Sequence, residues 1–161
     1  LTVSEMHPCD IVKVDSLRHK NARLLDKLLE SVEGITPQHL DGHCTRNGHY
    51  AYIFHYNKAY FGEASTRSFI EALNAEGIPT QASYPPVHAL DLFQSGAYKK
   101  RLCPEQAVKD HAFLRDTFPN TTQSAWETVW LPQHTLLGDE EDIHEAALAV
   151  KKIQQCADDL Q

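Results

Sequence analysis

Residues 49–56 read His-Tyr-Ala-Tyr-Ile-Phe-His-Tyr. The alternation puts Tyr50, Tyr52, Phe54 and Tyr56 on one side of an extended chain and His49, Ala51, Ile53 and His55 on the other. Aromatic and β-branched side chains at period two predict a strand with one face in a core. Everything around this strand has to supply the second layer that covers that face.

Upstream, Ile11, Val14, Leu17, Leu24, Leu25, Leu28 and Leu29 recur at threes and fours between Lys, Arg, Asp and Glu, which predicts a long amphipathic helix within 4–32. Its regular part begins at or just after Pro8, and Gly34 stops it. Residues 35–48 carry Pro37, Asp41, Gly42, Asn47 and Gly48 and read as a surface loop.

Downstream, Ser65 is the N-cap of a helix to about Glu76, with Phe69, Ile70 and Leu73 as its buried stripe and Gly77 as its stop. A second strand over 79–84 ends where Tyr84-Pro85-Pro86 removes two ladder donors. Small helices at Leu90–Phe93 and Glu105–Phe118 are separated by Gly96 and Pro104. Thr128 to Pro132 reads as a third strand, and Asp139 opens a last helix with acids at its start and Lys151 and Lys152 near its end. The expected fold is α+β: a two-layer small domain, a three-stranded, mainly antiparallel sheet with helices packed on it, and a long N-terminal helix.

The chain has 161 residues, enough for one core without disulfide or metal. With 15 Lys and Arg against 22 Asp and Glu it carries a formal charge of -7, and the basic residues are scattered, so no nucleic-acid partner is expected. Its apolar runs are far shorter than the ~20 residues of a membrane-spanning helix, and no signal-peptide layout opens the chain, so a cytoplasmic address and no membrane partner are expected. Cys9, Cys44, Cys103 and Cys156 form no paired motif.

Four motifs, in order, resemble the C-terminal part of the DegT/StrS family of pyridoxal-phosphate (PLP) sugar and cyclitol aminotransferases. Met6-His7-Pro8 opens the long helix, on which Leu17, Arg23 and Leu28 are similar to the family pattern, while Asp10 stands where a small apolar residue is usual. Gly48-His49-Tyr50-Ala51-Tyr52 resembles a His-x-Tyr-Tyr strand start with the tyrosines offset, and leads to an Arg67, Leu73, Gly77-Ile78 helix. Tyr84-Pro85-Pro86-Val87-His88 resembles the Tyr-Pro-x-Pro-Leu-His turn, one residue shorter. Val129-Trp130-Leu131-Pro132-Gln133-His134 resembles the terminal Leu-Pro strand in the form found in members acting on unphosphorylated sugars and keto-cyclitols.

The resemblance implies a fold type I small domain at residues 35–161, tied by a linker helix at 1–34 to a large PLP-binding domain that would precede Leu1. A start inside a helix at a leucine likewise suggests a fragment. The implied parent moves an amino group from glutamate or glutamine to a keto-sugar, a nucleotide-linked keto-sugar or a keto-cyclitol, as a homodimer. PLP would belong to the parent and none to this fragment, because the Schiff-base lysine, the acid on the pyridine nitrogen and the phosphate clamp lie in the large domain. No catalytic residue is therefore assigned here.

Substrate-binding candidates implied by the resemblance are Tyr84, His88, His49, Tyr50 and His134. For Tyr84 and His88, hydrogen bonding to substrate competes with a proline-stiffened turn whose histidine caps a helix. His49 and Tyr50 fit an aromatic core strand as well as a substrate contact, and His134 fits plain exposure as well. His39, His43, Cys44 and His49 match no zinc spacing, so no metal is assigned. Two other readings remain open: a PLP-dependent sugar dehydratase of the same family, and a stand-alone binding module.

Overall fold

The structure is a computed structural model that describes residues 8–95 and 118–157. The chain forms two compact units, one of residues 1–82 with 128–161, the other of residues 83–127.

In the first unit, α1 (Pro8–Leu29) leads to β1 (Ile35–Pro37), β2 (Ala51–Tyr56), α2 (Thr66–Ala75), β3 (Gln81–Ala82), β4 (Thr128–Pro132) and α5 (Glu140–Gln155). The sheet has four strands in the order β1-β2-β4-β3, every neighbouring pair antiparallel. The expected architecture holds, but a three-stranded sheet was expected and Ile35–Pro37 supplies the fourth strand. Pro37 argued for a loop. On an edge strand of three residues, however, its missing N–H breaks no ladder, and Ile35 turns into the core at 6% exposure.

The alternation at 49–56 does its expected work from Ala51 on: Tyr52, Phe54 and Tyr56 are buried, and Ala51, Ile53 and His55 are half-buried. Val129 and Leu131 of β4 point the same way. Ala22, Leu25 and Leu29 of α1, Phe69 and Leu73 of α2, and Ile143, Ala147, Val150 and Ile153 of α5 cover that face. At the centre the Phe69 ring stacks on Tyr56 with centroids 4.4 Å apart and meets Phe61 edge-on at 5.2 Å. Gly34 follows α1 with φ +83, and a Cβ there would lie 2.6 Å from the Tyr60 Cβ; the turn requires glycine on both counts.

The predicted Ser65 cap forms, and Asp139, expected to open the last helix, also caps it. Ser65 accepts the Ser68 amide of α2, and Asp139 accepts the amides of Glu141 and Asp142 while Asp142 accepts the Asp139 amide, a complete capping box. The strand predicted over 79–84 shrinks to Gln81–Ala82, because Pro79, Pro85 and Pro86 leave little chain able to pair on both sides.

The second unit begins at Ser83, just before the Tyr84-Pro85-Pro86 segment. It continues as a 3-10 turn (Val87–Ala89) and one helical turn, α3 (Asp91–Gln94), and its other described part is α4 (Pro119–Glu127). α4 was not expected: Pro119-Asn120-Thr121-Thr122-Gln123-Ser124 carries no apolar stripe. Proline at its first position, where the amide has no helical partner anyway, opens it. The expected helix at Glu105–Phe118 lies, except for its last residue, outside the described residues.

Candidate functional site

β2 starts where β4 ends. The register pairs Ala51 with Pro132, so His49 and Tyr50, just before β2, and His134, in the 3-10 turn Gln133–Leu137 after β4, come to one end of the sheet. Three of the five predicted residues are thereby gathered in the first unit. Tyr84 and His88 belong to the second.

His49 lies just before β2, not within it. Its φ is +45, in the left-handed region that few non-glycine residues adopt, His among the more tolerant. Its N–H donates to Asn47 Oδ1 at 3.0 Å, which holds the bend. The side chain is 7% exposed, while Tyr50 is turned outward at 75% exposure, so the tyrosine expected on the inner face with Tyr52 sits outside it. The kink at His49 breaks the alternation before Ala51.

Around His49 the structure assembles groups that sequence reasoning missed. The His19 ring of α1 lies 5.8 Å from the His49 ring, centroid to centroid. Asp15 accepts from Arg46 at 2.6 Å, and Arg18, 3.8 Å from Asp15, donates to Gln133 Oε1 at 2.7 Å. Tyr52 donates its hydroxyl to Asp26 Oδ1 at 2.7 Å. A cavity of about 20 Å³, room for about one water, is lined by Asp26, Asn47, His49 and Tyr52 among others. Burial first, then the His19 imidazole, holds the His49 pKa below the usual 6.5, with Asp26 pulling the other way. Burial and then the Asp26 hydrogen bond push the Tyr52 phenol upward.

The signal for this cluster was present in α1. Asp15, His19, Ala22 and Asp26 are spaced by four, three and four, so they share a helix face, and polar residues on a stripe that also carries the buried Ala22 mark a polar joint.

In the second unit, Tyr84 is 70% exposed and lines an open groove of about 430 Å³ with Pro86, Val87, Asn120, Thr121 and Ser124. His88 is half-buried; its ring packs on Phe118 at 5.1 Å, its Nε2 is 3.5 Å from Thr122 Oγ1, and its carbonyl accepts from Gln94 Nε2. The ring of His88 is engaged with Thr122 of α4 and with Phe118 just before it. His134 is exposed.

None of the described lysines is buried, and Lys13, Lys20, Lys58 and Lys152 pair at the surface with Asp10, Glu140, Glu63 and Glu76. A Schiff-base lysine needs a desolvated pocket to lose its proton near neutrality. His39, His43 and Cys44 are exposed while His49 is buried, and among the described residues no three His, Cys, Asp or Glu side chains converge on a metal position. No described helix is long and apolar enough to cross a membrane.

Comparison with known proteins adds the rest. L-glutamine:2-deoxy-scyllo-inosose aminotransferase of Streptoalloteichus tenebrarius is 29% identical over 140 residues, covering 86% of this chain and 33% of that protein. The Streptomyces kanamyceticus protein of the same name is 30% identical over 147 residues, covering 91% and 34%. The chain therefore spans about a third of the length of these curated relatives. The crystal structure of 3-amino-5-hydroxybenzoic acid synthase superposes with a TM-score of 0.70 at 22% identity, over 90% of this chain and 35% of that one; this likeness speaks for the fold. The family model of the DegT/DnrJ/EryC1/StrS aminotransferases matches residues 10–150, and the chain belongs to that family.

Proposed function

We propose that this chain is the small C-terminal domain of a PLP-dependent aminotransferase that passes an amino group from glutamine or glutamate to a keto-cyclitol or keto-sugar. The observation that carries the reading is the coverage. About nine tenths of this chain, but only a third of the relative, aligns with an enzyme whose name states L-glutamine as donor and a scyllo-inosose as acceptor. In this reading the cofactor chemistry, which is the stabilisation of a carbanion at the amino-bearing carbon, falls to a large domain preceding residue 1.

In this reading α1 is the linker, with Ile11 and Val12 exposed on its first turns at 40% and 62%. Residues 35–161 cover the active site and exclude water, which strengthens polar contacts to the substrate. Tyr50 and His134 offer hydrogen bonds to ring hydroxyls from the sheet end, and His49 holds the bend that presents Tyr50; within the second unit, Tyr84 and His88 are candidates of the same kind. The working protein is a cytoplasmic homodimer.

The test is to recover the flanking gene sequence, express the whole product and record its absorbance with PLP before and after L-glutamine. A cofactor band that shifts on adding the amino acid supports the aminotransferase. An unresponsive bound cofactor assigns a dehydratase, and a gene without a PLP domain assigns a binding module.

A further inference from the structure

Among the described residues, five buried side-chain polar atoms lack a protein partner: Arg18 Nε, His19 Nδ1, Asn21 Oδ1, His49 Nε2 and Thr135 Oγ1. Native interiors tolerate few such atoms. Three of them, on Arg18, His19 and His49, gather where the 38–49 loop lies against α1.

Arg23 Nε donates to His19 Nε2 at 3.3 Å, which makes Nε2 the acceptor and leaves the proton of a neutral His19 on Nδ1. That buried Nδ1–H and the buried His49 Nε2 sit on rings 5.8 Å apart and tilted by 46°. With both rings neutral and the His49 proton on its Nδ1, the pair offers one donor and one acceptor, which a single bridging water would satisfy. Protonated, they become two cations.

The surroundings do not welcome them. From α1, His49 faces Asp15, Arg18, His19 and Asp26. Arg46 of the loop holds Asp15, Tyr52 of β2 holds Asp26, and Arg23 holds His19. Against a proton on His49 stand its burial, the His19 ring and the Arg18 guanidinium, while the carboxylates of Asp26 and Asp15 that favour it are already engaged. A proton added to His49 must be buried in a site 7% exposed, beside the ring of His19. The backbone there is also held off its preferred region, at φ +45, so opening the joint releases strain as well as charge.

We propose that the His19–His49 pair is a proton-operated latch, which clamps the 38–49 loop and the bend presenting Tyr50 onto α1 when both rings are neutral and releases them on acidification. The loop meets the sheet through a backbone bond from the Gln38 amide to the Ile53 carbonyl at 3.1 Å, so that amide reports the release. The latch does not depend on what Tyr50 binds.

Hydrogen exchange on the full 161-residue chain tests it, at about pH 7.5 and about pH 5.5, either side of an ordinary imidazole pKa, with rates corrected for intrinsic chemistry. The expected result is protection over 38–49 that falls about tenfold at the lower pH, while α5 keeps its own. His49→Asn, a residue that tolerates the left-handed region, and His19→Gln should each remove that pH response, and either variant suffices if the other fails to fold. Equal protection at both pH values in the unaltered chain overturns the proposal. So does a response that persists in the folded variants, which would assign it to carboxylates.

Discussion

At the scale of single residues, burial decides which polar groups matter. Tyr52 is 3% exposed and bonded to a half-buried carboxylate, a charge-assisted contact whose loss leaves Asp26 without that donor. Tyr52→Phe should lower the unfolding free energy by about 1.5–3 kcal/mol, read as a lower urea midpoint at unchanged slope. His49 gives the pH dependence. Its pKa is depressed in the folded chain, so between that value and 6.5 the unfolded chain binds the extra proton. Stability should therefore fall as pH drops below about 6.5 and level off once the folded-state value is passed. Urea midpoints across that window should show a smaller fall for His49→Asn.

At the scale of elements, α5 shows how local chemistry fixes a boundary. The capping box of Asp139 and Asp142 satisfies amides that the first turn leaves without partners, and Asn21 of α1 ties down the segment leading into it by donating to the Leu136 and Gly138 carbonyls at 3.0 and 2.9 Å. Asp139→Ala should cost about 0.5–2 kcal/mol. A Cβ on Gly138 would lie 2.2 Å from Asp142 Oδ2, so Gly138→Ala must displace the partner that Asp139 uses. The two changes remove one device, and the double variant should lose less than the sum of the single losses. A double-mutant cycle by urea unfolding checks this, and strict additivity would show the two to be independent.

At the scale of the molecule, stability of the first unit rests on one aromatic centre shared by β2, α2 and the turn after β2. Phe69 touches Tyr56, Phe61 and Phe54 and is fully buried. Phe69→Ala should cost about 3–5 kcal/mol, a large share of the ~5–15 kcal/mol that holds a typical domain together, and near-ultraviolet circular dichroism would report the lost ring packing. The same scale separates the candidate residues: His49, Tyr50 and His134 share one sheet end, while Tyr84 and His88 belong to another compact unit.

Much of this was written locally. Period two at Tyr52, Phe54 and Tyr56, period 3.6 in α1 and α2, Ser65 as a cap, Asp139 as a helix start, and the ordered motifs of the family are all readable along the chain, because each depends on residues within a turn or two of one another. The tertiary structure decided what depends on distant partners. Ile35–Pro37 is a strand only because β2 offers an edge that tolerates proline. Tyr50 faces out because the bend at His49, held by Asn47, comes before the ladder begins. The polar joint of Arg18, His19, Asp26 and His49 exists because the 38–49 loop folds back on α1, a closure whose value lies in buried charge and hydrogen bonds that no local pattern encodes.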